Sequence, residues 1–217
     1  MTFQFFDPEA DVYITARKLP HWEQAGGTYF ITFRAKDSLP RPVMIRLTWE
    51  RNEWLRARGI HVEDPEWRVQ IRKLSRADQR TYYEMFTGRW MDLLDDCHGE
   101  CLLRQSRFSA LVAESLLFFD GDRYVMGDFV VMPNHVHLLV QFPAVGPLRK
   151  QCRSWKRFTA TQINKVLGRN GEFWQEESFD HLVRSAEQYE WLRKYLADNP
   201  VKAGLREGEY FYYRSPH

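Results

Sequence analysis

Residues 28–34, "TYFITFR", alternate Tyr29, Ile31 and Phe33 against Phe30, Thr32 and Arg34. That two-residue period predicts a half-buried strand. "RYVMGDFVV" and "HVHLLVQF" predict two more, separated by "MPN", where Pro133 and Asn134 favour a turn or bulge. "SFDHLVR" (178–184) predicts a short fourth strand. Between these the period changes to that of helices. Ser75 followed by Asp78 resembles a capping box, and Tyr82, Phe86, Trp90 and Leu94 then recur at one-turn spacing. "RFSALVAESLLFFDG" (107–121) reads as an amphipathic helix closed by Gly121. Residues 147–168 read as another, ending at Gly168, with Leu148, Cys152, Trp155, Thr159 and Val166 on its inner side. A last helix opens with a Ser185–Gln188 capping box and stops at Asn199-Pro200. Residues 1–27 read as an irregular arm, and "DSLPRP" (37–42) ends the first strand. Strands separated by helices, with hairpin-like pairings, imply an α+β sandwich with helices on one face of the sheet.

At 217 residues the chain fits one domain over 1–217, with a mostly helical insertion at about 41–120. No apolar run approaches the roughly 20 residues of a membrane span, and the N-terminus lacks a basic region followed by an apolar signal core. Three cysteines, Cys97, Cys101 and Cys152, give no disulfide framework and favour a reducing, cytoplasmic setting. "CHGEC" (97–101) gathers three soft ligands without a second cluster, which suits a polar turn better than zinc. No phosphate-binding glycine loop, nucleophile elbow or paired C-x-x-C is present. Net charge is only +2, but the stretch 146–170 holds seven basic residues and no acidic one. Such a stripe is either a solvated helix face or a polyanion site. Arg149, Lys150, Arg153, Lys156 and Arg157 are its candidate phosphate contacts, with Trp155 and Phe158 among them as core or base-stacking residues.

His135 and His137 stand inside an otherwise apolar strand. Two apart, they share one face, while Val136, Leu138 and Val140 build the core on the other. Two imidazoles converging on one place have the spacing of a metal-binding pair. The last helix offers a further ligand and a nucleophile, because Tyr195 and Asn199 lie four apart on one helical face. Each also has a plain structural reading. Tyr195 packs with Trp191 and Leu192, or it attacks; Asn199 caps the helix before Pro200, or it ligates.

"VVMPNHVHLLV" resembles the His–apolar–His motif of HUH single-strand DNA endonucleases. "SWKRFTATQIN", "GEFWQEESFDHLVR" and "YLADNPVKAGL" follow in the order found in REP-associated tyrosine transposases, a branch of the single-tyrosine HUH transposases. "GGTYFITFR" and "LRQSRFSALVAESLLFFDGDRY" are also similar to that family, so the resemblance runs from about residue 12 to 206. It implies a ferredoxin-like antiparallel sheet (the HUH endonuclease fold) with the His strand central. The segment before "RYVMGDF" is longer than in the smallest relatives. By the resemblance His135 and His137 are metal ligands, Asn199 the third ligand and Tyr195 the nucleophile, with Mg²⁺ or Mn²⁺ as cofactor. It implies a transposase that nicks and rejoins single-stranded DNA beside palindromic hairpins through a 5′-phosphotyrosine intermediate. The alternative is a non-catalytic, regulatory hairpin-binding protein. Monomer and homodimer both occur among such proteins, and a bacterial, nucleoid-associated setting follows from DNA binding.

Overall fold

The chain's apolar alternation is realised in a five-stranded antiparallel sheet built from β3 (Thr28–Arg34), β4 (Val125–Val131), β5 (His135–Gln141), β6 (Phe179–Leu182) and β7 (Phe211–Tyr213). The computed structural model describes residues 3–16, 20–64 and 67–217. Strand order is β6-β3-β5-β4-β7, so the histidine strand is central. β4 and β5 form a hairpin around Met132-Pro133-Asn134, closed by the Met132 N–H donating to the His135 carbonyl (2.8 Å). The N-terminal arm expected over 1–27 falls partly outside the described residues, at 1–2 and 17–19. Its remainder is irregular except at β1 (Tyr13–Ala16) and β2 (Pro20–Glu23), which pair antiparallel. The aromatic and β-branched residues of "YIT" suit a strand, but the run is too short to show a period.

Helices α1 (Arg41–Arg56), α2 (Trp67–Lys73), α3 (Arg76–Tyr82) and α4 (Arg89–Asp95) make up the central segment, with a wide π turn at Tyr83–Gly88 joining the last two. Ser75 caps α3 as expected, its hydroxyl accepting from the Asp78 N–H at 3.0 Å. α5 (Ser106–Leu117) stops short of Gly121, which serves the turn into β4 at φ +78°. α6 (Pro147–Leu167) ends at Gly168 (φ +62°) as the sequence implies. Leu148, Cys152, Trp155 and Thr159 are buried along it, Ile163 continues the buried row, and Val166 is exposed. α7 (Ala186–Lys202) starts at the Ser185 cap but runs through Pro200 instead of stopping there. A proline's fixed φ is helical, and in the last turn its missing N–H removes one bond only. Gly204, at φ +66°, turns the chain just beyond.

The layering differs from the expectation of helices on one face. One face carries Tyr29, Ile31, Phe33, Val136, Leu138 and Val140, packed with residues of α5 and α6 such as Val112, Leu116, Leu148 and Trp155. The other carries Phe30, Val130 and Leu139, packed with Leu192 and Leu196 of α7 and Met91 of α4. Both faces are apolar enough to need cover, because the strands put bulky residues at odd and even positions alike. The histidines belong to the α7 face.

Candidate metal and tyrosine site

β5 holds both imidazoles rigidly on the α7 face, and both are 0% exposed. Each Nδ1 is engaged by a neighbour: Asn134 Oδ1 lies 2.7 Å from His135 Nδ1, and Thr32 Oγ1 lies 2.7 Å from His137 Nδ1. An amide oxygen can only accept, so His135 carries its proton on Nδ1 and presents a bare lone pair at Nε2. Asn134 is itself anchored, its Nδ2 donating to the His98 carbonyl at 2.8 Å. The turn at Cys97–Cys101, with both cysteines at positive φ, thus supports the histidine strand. Among the described residues its thiols belong to no three-ligand group.

The third electron-pair donor comes from the central helical segment. Asp95, at the end of α4, joins His135 and His137 in a buried group whose ligand atoms all lie within 4.8 Å of one another. Asp95 Oδ1 is 3.8 Å from His135 Nε2 and accepts from Asn199 Nδ2 at 3.2 Å. Asp95 was not among the sequence candidates. The available signal was a carboxylate on the buried stripe of α4, beside Met91 and Leu94. Asn199, read as a ligand, lies against Asp95, and its own Oδ1 has no hydrogen-bond partner. Asp95 Oδ2 and His135 Nε2 are likewise buried without one. Asn199 Oδ1 and His135 Nε2 have no partner and Asp95 Oδ2 has only the Lys202 ammonium at 3.4 Å, so this buried cluster has room for a further cation, since buried polar atoms are otherwise paired. Ligands about 2.1 Å from an octahedral ion stand roughly 3 Å apart when adjacent and about 4.2 Å apart across it, so donors within 4.8 Å of one another lie at or slightly outside the spacing of a single ion.

Electrostatics agree with the geometry. Burial, then the neighbouring His137, holds His135 well below the ordinary histidine pKa. Burial takes His137 down to about 3. Both rings are therefore neutral near pH 7, the form that a metal ligand requires. Burial lifts Asp95 to about 6, with the Lys202 ammonium pulling the other way. Lys202 Nζ lies 3.4 Å from Asp95 Oδ2 and also pairs with Asp92.

Tyr195 reaches the same place from α7. Its hydroxyl is 3.5 Å from His137 Nε2 and 3.9 Å from Met91 Sδ. Its ring stacks on Trp191 (5.8 Å between centroids) and stands edge-on to Phe30 and His137. Burial, followed by the Asp95 and Asp92 carboxylates, raises its pKa far above that of a free phenol. His181 is apart from the cluster, with Nε2 3.0 Å from the Gln188 amide nitrogen.

The basic stripe lies elsewhere. Leu148, Arg149, Arg153, Lys156 and Arg157 of α6 line a groove of about 560 Å³ against residues 171–178. α6 covers the face of the sheet opposite the histidines. Trp155 is buried, its Nε1 donating to the Tyr124 hydroxyl at 3.3 Å, and Phe158 is exposed. Lys156 donates to the carbonyls of Gln175 (3.2 Å) and Glu176 (2.6 Å), which ties residues 171–178 to α6.

No family model matches the sequence, and no curated protein does. Among solved structures, the chain is similar to a REP-associated tyrosine transposase bound to a REP hairpin. The two are 15% identical with a TM-score of 0.47, over 88% of this chain and 76% of that one. A similarity of that size says nothing of activity or ligand. No helix among the described residues is long and apolar enough to cross a membrane.

Proposed function

We propose that this chain is a divalent-metal-dependent transposase of the single-tyrosine HUH kind, which cuts and rejoins single-stranded DNA beside palindromic hairpins. The observation that carries the reading is a phenol 3.5 Å from a buried imidazole that belongs to a three-donor group with orphaned acceptors. The order of motifs along the chain supports it independently. His135, His137 and Asp95 would hold the ion, with Asn199 Oδ1 beside them as the further donor. The mixed nitrogen and oxygen set suits Mn²⁺ or Mg²⁺, of which Mn²⁺ tolerates imidazole better. A divalent ion held there would supply charge compensation for the scissile phosphate and for Asp95 and ease loss of the Tyr195 proton.

Tyr195 is the nucleophile. Its Oη forms a bond to phosphorus as the bond from phosphorus to O3′ breaks; the phenol gives up its proton, and O3′ leaves as a 3′-hydroxyl. The 5′-phosphotyrosine ester keeps the bond energy, so attack by another 3′-hydroxyl releases Tyr195 and joins a new strand. Phe30 and Trp191 hold the ring, which limits the rotamers the nucleophile can sample. Arg149, Lys150, Arg153, Lys156 and Arg157 are proposed to meet the hairpin phosphates.

Labelled single strands copied from either flank of the gene, incubated with Mn²⁺, test the reading. A labelled protein band that resists denaturant, lost with chelator and in Tyr195→Phe, is the expected result. Hairpin binding with no adduct on any strand would leave a DNA-binding protein without this chemistry.

A further inference from the structure

The helical insertion closes a cavity of about 270 Å³ against the edge of the sheet. Thr32 and Arg34 of β3 and Phe179 of β6 form one wall; Tyr82, Phe86 and Trp90 form the other. Arg34 is only 7% exposed. Its Nη1 donates to Ser38 Oγ at 3.0 Å and, more weakly, to the Ala35 carbonyl at 3.5 Å, and its guanidinium lies 5.9 Å from the Trp90 ring centroid. Both bonds use Nη1, and Nε and Nη2 are not among the buried side-chain atoms left without a partner, so that edge opens to the cavity that Arg34 lines. A guanidinium this buried is costly unless something accepts from it. The one carboxylate on the cavity wall is Glu177.

The cavity's position is as informative as its lining. Arg34 is the cross-strand partner of His135, and Thr32 that of His137. Trp90 lies on the same helix as Asp95, about 7.5 Å away along the axis. On the far side, Gln175, Glu177 and Ser178 line both this cavity and the basic groove of α6. A strand passing from that groove to the histidines crosses the cavity on its way.

We propose that the cavity holds one unpaired nucleobase of single-stranded DNA, stacked on the aromatic wall and read by Arg34, with guanine preferred. At or below the lower end of the usual range for ligand pockets, about 300–1,000 Å³, it has room for one ring system and not for a base pair. Aromatic walls suit the π-face of any base. The free Nε–Nη2 edge of a guanidinium matches the O6 and N7 acceptors of guanine, which no other base offers as a pair. The inference rests on the reading of the chain as a single-strand DNA enzyme and adds a base-reading subsite to it.

Calorimetric titration of the full chain with trinucleotides dT-dN-dT, where the central residue is each base in turn or abasic, tests it. The expected order puts dG first and the abasic strand about tenfold or more weaker. Trp90→Ala should bring dG close to the abasic level while Trp90→Phe retains most of the difference; Arg34→Gln should remove the preference for dG over the other bases. Retained Mn²⁺ binding and thermal melting report that each variant is folded. Equal affinity for the dG and abasic strands, or discrimination that survives Trp90→Ala, overturns the proposal. Adduct formation by the wild type without base discrimination would remove this subsite and leave the transposase reading standing. Base discrimination without any adduct would do the reverse.

Discussion

Asp95 is ionised where a neutral group would cost less. Burial puts its folded pKa near 6, against an ordinary 3.8. The folded chain therefore holds this proton more tightly than the unfolded one, and Asp95 lowers stability progressively as pH rises from about 4 to about 6, by roughly 3 kcal/mol. The histidines act with the opposite sign. Folding keeps both neutral, while an unfolded chain protonates them near 6.5, so their contribution is present above pH 6.5 and is lost as pH falls towards 3. A metal ion entering the group displaces only the Asp95 proton, since the imidazoles are already bare. Mn²⁺ affinity should be flat above about pH 7 and fall about tenfold per pH unit below 6, with one proton released. Calorimetry in buffers of different ionisation enthalpy measures this. Asp95→Asn should weaken binding and abolish the pH dependence; release of two or more protons would mean that the histidines titrate with the metal.

At the scale of elements, the β4–β5 hairpin sets how closely α7 approaches the histidines. β4 carries a register shift between Met126 and Phe129, and Gly127 sits within it. A Cβ at Gly127 would come 2.9 Å from Leu139 Cβ and 3.0 Å from the Leu139 carbonyl, with the Tyr189 hydroxyl at 3.3 Å. Two of these contacts involve the central strand and the third involves α7, so none is cheaply relieved. Gly127→Ala should destabilise by about 1–3 kcal/mol in equilibrium denaturation, the usual cost of overpacking. A change under half a kcal/mol would show that the bulge absorbs the methyl. The same elements show what the sequence makes legible. Period-two alternation marks β3, β4 and β5, and capping residues place the starts of α3 and α7, because these signals are local. α7 runs past the stop that Asn199-Pro200 predicts because Pro200 is tolerated in a last helical turn. Asp95 is not legible in the sequence because a carboxylate on a helix declares itself a ligand only when another element, here β5, brings both histidines to it.

In the whole molecule, the candidate metal-binding group and the basic helix lie on opposite faces of one sheet, joined around the β6 edge by residues 171–178. On the proposed reading, a hairpin held on α6 would send a single strand around that edge to reach Tyr195, which would separate holding the duplex from cutting beside it. Charge patterning reveals the basic stripe in the sequence, but not which face it occupies, since that depends on how α6 crosses the sheet. Replacing both Arg153 and Arg157 by Ala should reduce the slope of log K against log salt for hairpin binding by about 1.4–1.8, at about 0.7–0.9 per phosphate contact. Fluorescence anisotropy over a salt series reads this slope. An unchanged slope would place the hairpin elsewhere.

The account turns on whether Asp95, His135 and His137 form a metal centre. Electron spin-echo spectroscopy of the Mn²⁺-loaded chain tests that most directly, by detecting nitrogen nuclei coupled to the ion. Two imidazole couplings are expected, one lost in His135→Ala and the other in His137→Ala, with Tyr195→Phe retaining both. A bound ion with no nitrogen coupling, or with couplings indifferent to both histidine substitutions, would contradict the metal centre and the tyrosine chemistry built on it.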